Sequence, residues 1–186
     1  MVNEKRGDIF MLVLVGPSAS GKTEVVKVLI EQYNMKKLVT YTTRPMRIHE
    51  VNGKDYHFIS KQEFIEKINN NFFLEYVEYN DNFYGTSYED LDNHKVVILE
   101  PSGVKTYLEK VPEKIKICYL RTPKDYRMKR MIERGDSSES INKRIDSDDE
   151  IFNSELEAIV DWVIDSTDIT IQDMTKIIFE KYEPYL

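Results

Sequence analysis

The chain has 186 residues, 41% of them hydrophobic and 32% charged, which suits one domain with a substantial core and room for smaller inserts. A net charge of −7 argues against a surface built for nucleic acid or an anionic membrane, so any affinity for phosphate must come from local clusters. A single cysteine, Cys118, excludes an internal disulfide; with a charged Met1–Asp8 start and no apolar run of spanning length, a cytoplasmic protein is expected.

The first predicted element is the apolar run Ile9 to Val15, which reads as a buried parallel strand. It leads into Gly16-Pro17-Ser18-Ala19-Ser20-Gly21-Lys22-Thr23, which fits the phosphate-binding pattern G-x-x-x-x-G-K-[ST]. The glycines let backbone wrap closely around an anion, and the loop's N–H groups face phosphate oxygens at the positive end of the next helix. Lys22 would reach the phosphates and the Thr23 hydroxyl would ligate Mg²⁺. Val25, Val26, Leu29 and Ile30 then recur at helical spacing. Strand, loop and helix in this order point to a nucleoside triphosphate site.

Further strands are expected near 37–41, 72–79, 96–99, 115–120 and 160–164, alternating with helices as in a parallel α/β sheet. Ser60 with Glu63 forms a capping box ahead of Phe64, Ile65 and Ile68. Thr122 stands as a cap before Pro123, and Thr167 or Asp168 is placed to cap a last helix whose apolar face is Ile171, Met174, Ile177 and Ile178. Residues 39–90 break the alternation as a β-rich insert, strongly aromatic from Phe72 to Tyr84, with Asn80-Asp81-Asn82 as a hairpin turn. Residues 125–151 carry Arg127, Lys129, Arg130, Arg134, Lys143 and Arg144 on two helical arms around Gly135, a pattern that suits a lid over phosphates. The remaining 1–38, 91–124 and 152–186 form the expected core. His49, His57 and His94 show no metal-ligand spacing and read as surface or packing residues.

From Phe10 to about Tyr182 the chain resembles the guanylate kinases. The resemblance rests on Gly16 to Thr23, Thr42 to Arg47, Glu50 to Phe58, Phe73 to Tyr76, Tyr84 to Ser87 and Glu139 to Arg144. It implies a three-layer α/β/α core with a parallel sheet, a β-rich insert that binds the nucleoside monophosphate, and a helical lid. It further implies phosphoryl transfer from ATP to GMP or dGMP with Mg²⁺. Arg44 and Arg47, assisted by Tyr56 and Tyr84, would grip the acceptor phosphate; guanidinium forks suit a phosphate dianion. Glu75 would accept from guanine's N1–H and amino group, with Thr40 and Thr86 near O6 or N7 and Glu100 as a further acidic group. Arg130, Arg134 and Arg144 match the lid arginines, and Lys22, Arg44, Arg134 and Arg144 make the implied catalytic set.

The chain departs from the family at His49, where a glycine is usual, and in the Ile98 to Gly103 segment, which keeps Glu100 but lacks its acidic partner. The lid loop at Gly135 to Ser138 is short, and Asp165 stands where asparagine is common. Two rival readings stay open. One is a related kinase acting on ribose 1,5-bisphosphate, and the other is a non-catalytic guanylate-kinase-like module that binds phosphorylated peptides.

Overall fold

A computed structural model gives the fold and describes residues 10–186 apart from Arg47, His49 and Asn80. Ile9 of the expected first strand and Asn80 of the expected hairpin turn therefore lie outside the described residues. In chain order the elements are β1 (Met11–Val15), α1 (Lys22–Tyr33), β2 (Lys36–Lys37), β3 (Tyr41–Thr42), β4 (His57–Phe58) and α2 (Lys61–Asn69). They continue with β5 (Phe73–Tyr79), β6 (Asn82–Ser87), β7 (Lys95–Ile98), α3 (Pro101–Lys110) and β8 (Ile115–Arg121). The last are α4 (Lys124–Glu133), α5 (Ser138–Ile151), α6 (Ser154–Glu157), β9 (Trp162–Asp165) and α7 (Ile171–Tyr182).

The alternation of β1 decides the layers. Every residue of this strand is fully buried, and successive side chains point to opposite faces. Met11, Val13 and Val15 join a cluster with Val104 and Tyr107 of α3 and Leu156 of α6. Leu12 and Leu14 join the opposite cluster, with Val25 and Leu29 of α1 and Met174, Ile178 and Tyr182 of α7. Burying a side chain of this size contributes about 1.5–3 kcal/mol, so β1 ties the two helical layers to the sheet. Around it runs a parallel sheet in the order β2-β7-β1-β8-β9. This is the three-layer α/β/α arrangement with a parallel core sheet. In α1 the buried face is Val25, Val26, Val28 and Leu29, while Ile30, expected to share it, is 41% exposed.

The expected single strand at 37–41 is two strands in two sheets. Lys36 and Lys37 pair with β7 of the core sheet, whereas Tyr41 and Thr42 pair with β4 and β6. Leu38 is buried in the core and its N–H donates to Val96 at 2.9 Å, so the chain crosses from one sheet to the other just after it. The second sheet has the order β4-β3-β6-β5, and β5 and β6 form a hairpin whose closing pair is Tyr79 opposite Asn82. Phe64 of α2 stacks on Phe73 and Phe83 at 4.3 and 5.3 Å, which seats α2 on this sheet.

Local signals were followed unevenly. Ser60 and Glu63 form the capping box in full. Thr122, however, does not cap α4; Pro123 occupies that position, and the Thr122 hydroxyl lies 2.7 Å from Ser166 Oγ in the interior. Thr170, not Thr167 or Asp168, caps α7, accepting from the Asp173 N–H at 3.1 Å. Asp165 uses Thr167 instead, accepting from its N–H.

Helices α4 and α5 form an antiparallel hairpin with its own small core of Met131, Ile141 and Ile145, which also touches Ala19. Beside this core Arg127 is buried and donates to Asp148 at 3.1 Å and to Asp149 at 2.6 Å. Removing one partner of a buried pair strands the other charge. We expect Arg127→Met to lower stability in urea unfolding by about 3 kcal/mol, and a loss below about 1 kcal/mol would show that Asp148 does not depend on this partner.

Candidate active site

The loop between β1 and α1 is pressed against the sheet. A Cβ on Gly16 would stand 2.8 Å from the Leu120 carbonyl oxygen, so only glycine lets the chain turn this close to β8. Gly21 has φ +99° and Ala19 φ 61°, and Ser20 N–H donates to Pro17 O at 3.2 Å. The result is a tight arch ahead of α1. Lys22 curls back across it and donates to Gly16 O, to Pro17 O at 2.9 Å and to Ser20 Oγ at 3.5 Å. Burial pushes the Lys22 ammonium below the usual lysine range, while the charges of Glu100 and Asp148 oppose that shift. Thr23 is exposed on the first turn of α1.

The helical hairpin closes one side of this arch. Arg130 Nη1 donates to Ala19 O at 3.0 Å, and the Ser18 N–H donates to Asp148 Oδ2 at 2.8 Å. A cavity of about 400 Å³ opens here, lined by Ala19 to Glu24 with Arg130, Arg134 and Ile171. It combines main-chain donors, two guanidinium groups and an apolar wall. Arg134 and Arg144 both pair with Asp136, Arg144 at 3.4 Å, and both are about half exposed. The Arg134 hydrogen bond, more than the Arg144 charge, holds the Asp136 carboxyl below its usual range. Arg144 is tied to that carboxylate rather than to the cavity wall.

The second sheet gathers the other predicted residues into two groups. In the first, Arg44 Nη2 donates to Glu50 at 2.6 Å, and its guanidinium lies 5.4 Å from the Tyr56 ring centre. The Tyr56 and Tyr84 rings are 6.1 Å apart. Arg47 falls outside the described residues. In the second group, Thr86 Oγ1 donates to Glu75 Oε1 at 3.0 Å and accepts from Tyr107 Oη at 2.8 Å. Desolvation pushes the half-buried Glu75 carboxyl up, opposed by the Thr86 hydrogen bond and by Lys110. The register sets Tyr41 opposite Gly85, which brings Thr40 level with Thr86 across β3 and β6. Glu100 stands at the N-terminus of α3, exposed, with its charge felt by Lys22.

Guanylate kinase is the description of the family model that matches residues 10–181. The chain belongs to the guanylate kinase family. A guanylate kinase from Wolinella succinogenes is 38% identical over 144 residues, covering 73% of this chain and 67% of the relative. One from Clostridioides difficile is 34% identical, covering 95% of this chain and 97% of its own length. The crystal structure of guanylate kinase from Anaplasma phagocytophilum matches with a TM-score of 0.68 at 25% identity, covering 96% of this chain and 87% of that one.

Within this guanylate kinase fold, three residues near the site escaped sequence reading. Neither Asp148 nor Tyr107 stands out in the sequence, and Ile171 reads as part of the apolar face of the last helix. A buried charge in a lid helix is visible only once its partner is placed. Gly16→Ala is expected to weaken ATP binding at least about tenfold by calorimetry, since backbone on both sides must shift to admit the methyl group. Unaltered affinity would show that the arch tolerates that displacement.

Proposed function

We propose that this chain transfers the γ-phosphoryl group of ATP to GMP, giving ADP and GDP, and accepts dGMP as well. The observation that carries this reading is the placement of two unlike sites along one helix. Glu100 at the start of α3 acts on Lys22, and Tyr107, two turns on, bonds the Thr86 that bonds Glu75. Seven helical residues rise roughly 10 Å, a span that suits one nucleoside monophosphate laid between base-reading groups and donor phosphates.

In this reading Gly16, Ser18, Ala19, Ser20, Gly21 and Lys22 hold the phosphates of ATP, with Arg130 and Arg134 neutralising charge at the cavity rim and Arg144 closing from α5. Arg44 and Arg47, with Tyr56 and Tyr84, take the acceptor phosphate, Arg44 exchanging Glu50 for a dianion. Glu75 accepts from N1–H and the amino group of guanine, while Thr40 approaches its other edge, Thr86 serves the base site by donating to Glu75, and Glu100 lies toward the phosphates. Adenine presents an acceptor at N1, which would leave a desolvated carboxylate unpaired. Transfer between phosphates needs alignment and charge neutralisation rather than a general base. We read 39–90 as the acceptor-binding insert and 125–151 as the lid, whose closure would exclude water.

The Thr23 hydroxyl and the exposed Glu100 carboxylate are hard oxygen donors, so the residues present fit Mg²⁺. Bound with ATP, that ion would supply neutralisation of phosphate charge. The non-catalytic phosphopeptide module gives no reason for so closely built a phosphate loop, and ribose 1,5-bisphosphate offers no donor pair to Glu75. Among the described residues no helix is long and apolar enough to cross a membrane, and the Cys118 thiol is pushed up to about 12 by desolvation. An inert buried thiol suits the reducing cytoplasm, where we place the protein.

A coupled assay of ADP formation across nucleoside monophosphates and ribose 1,5-bisphosphate tests the proposal; no ADP with GMP would reject it. Lys22→Ala is expected to reduce kcat about a thousandfold or more. Glu75→Gln is expected to weaken GMP relative to other acceptors by about ten- to hundredfold, and an unchanged preference would remove Glu75 from base recognition.

A further inference from the structure

We propose that Tyr107 is a positioning residue for base selection: acting through the Thr86 hydroxyl, it holds Glu75 as a two-oxygen acceptor and so favours a base edge that offers two donors. This rests on the guanine-reading role given to Glu75 above. The argument is a count of protons. Tyr107 is fully buried on α3 and its hydroxyl donates to Thr86 Oγ1 at 2.8 Å. Thr86, 2% exposed, has one proton of its own, and Glu75 Oε1 lies 3.0 Å away to receive it. Polarity therefore runs one way, from tyrosine to threonine to carboxylate. A proton on Glu75 Oε1 would leave the Thr86 oxygen accepting from both sides with its own proton stranded in the interior, and a proton on Oε2 would make Oε1 a weaker, uncharged acceptor for Thr86, so the relay favours the carboxylate.

The other groups facing this chain of hydroxyls agree with that direction or are neutral to it. Lys110, also on α3, stabilises the Glu75 carboxylate and donates to the neighbouring Leu74 carbonyl. Desolvation pushes the Tyr107 hydroxyl up from its ordinary range, opposed by the Thr86 hydrogen bond and aided by the charges of Glu75 and of Asp90 in the turn after β6, so that it stays a donor. Burial alone drives Glu75 the opposite way, toward the neutral acid. An ionised Glu75 complements the N1–H and amino group of guanine. A neutral Glu75 offers one donor and one acceptor, the complement of adenine's N1 and amino group.

Tyr107→Phe in the full-length enzyme tests this while keeping the ring that packs in the core. GMP recognition requires the ionised carboxylate, which is present above its pKa and lost as pH falls through it. Raising that pKa moves the acid limb of kcat/KM for GMP to higher pH, by roughly half a unit to one unit. We expect KM for GMP to rise about three- to tenfold with kcat changed less than about twofold, and the GMP to AMP preference to fall by a similar factor. In a Glu75→Gln background the same substitution should leave that preference alone. An acid limb that stays in place, or an equal loss of GMP affinity with and without Glu75, would reduce Tyr107 to a packing residue and overturn the proposal. If Tyr107→Phe does not fold, Thr86→Val breaks the same relay and must move the acid limb in the same direction. A wild-type enzyme that ignores GMP, or Glu75→Gln with intact base preference, would instead sink the underlying reading.

Discussion

An anion site made of main-chain amides works only if something stiffer than the loop holds those amides in place. Here that support is the contact of Gly16 with the Leu120 carbonyl, made possible because β1 is paired on both edges and buried on both faces. Parallel strands deliver their C-terminal ends to one edge of the sheet. The phosphate loop leaves β1 there, Glu100 follows β7, and the helical hairpin follows β8. Charged groups far apart in sequence are thus gathered without any long loop. That the charges of both Glu100 and Asp148 act on Lys22 is a product of this geometry.

The arginines divide by burial into two functional kinds. Arg127, 5% exposed at its side chain, is locked to Asp148 and Asp149. Its charge serves the hairpin and, through Asp148, reaches the Ser18 amide. Arg134 and Arg144 are about half exposed on a shared carboxylate. Exposed pairs of that kind are weak, so a phosphate can displace Asp136 at little loss. Arg44 is intermediate, paired with Glu50 and flanked by aromatic faces that keep its guanidinium aimed. Arg44, Arg134 and Arg144 thus hold partners that can be exchanged, whereas Arg127 is fixed inside the helical hairpin.

Much of the fold was legible from the order of residues. The apolar run before Gly16 reads as a two-sided buried strand, and the Ser60–Glu63 spacing states its own helix start. The strand expected at 37–41 was misjudged because a continuous apolar-polar stretch does not announce that Leu38 belongs to one sheet and Tyr41 to another. Thr122 carried a sound capping signal that lost to the buried hydroxyl of Ser166. At α7 the expectation of Thr167 or Asp168 passed over Thr170, whose spacing to Asp173 is itself a local capping signal.

The sequence by itself determined the phosphate loop, the alternation that builds a parallel sheet and the residue types able to grip an anion, because each of these depends on neighbours a few positions apart. Only the tertiary structure decided which of those residues meet. Tyr107, Thr86 and Glu75 lie on three separate elements, and Asp148 reaches Ser18 across 130 positions of chain. Hydrogen bonds and ion pairs act over a few ångströms, and whether two distant segments come that close is settled by the packing of the whole core rather than by either segment alone.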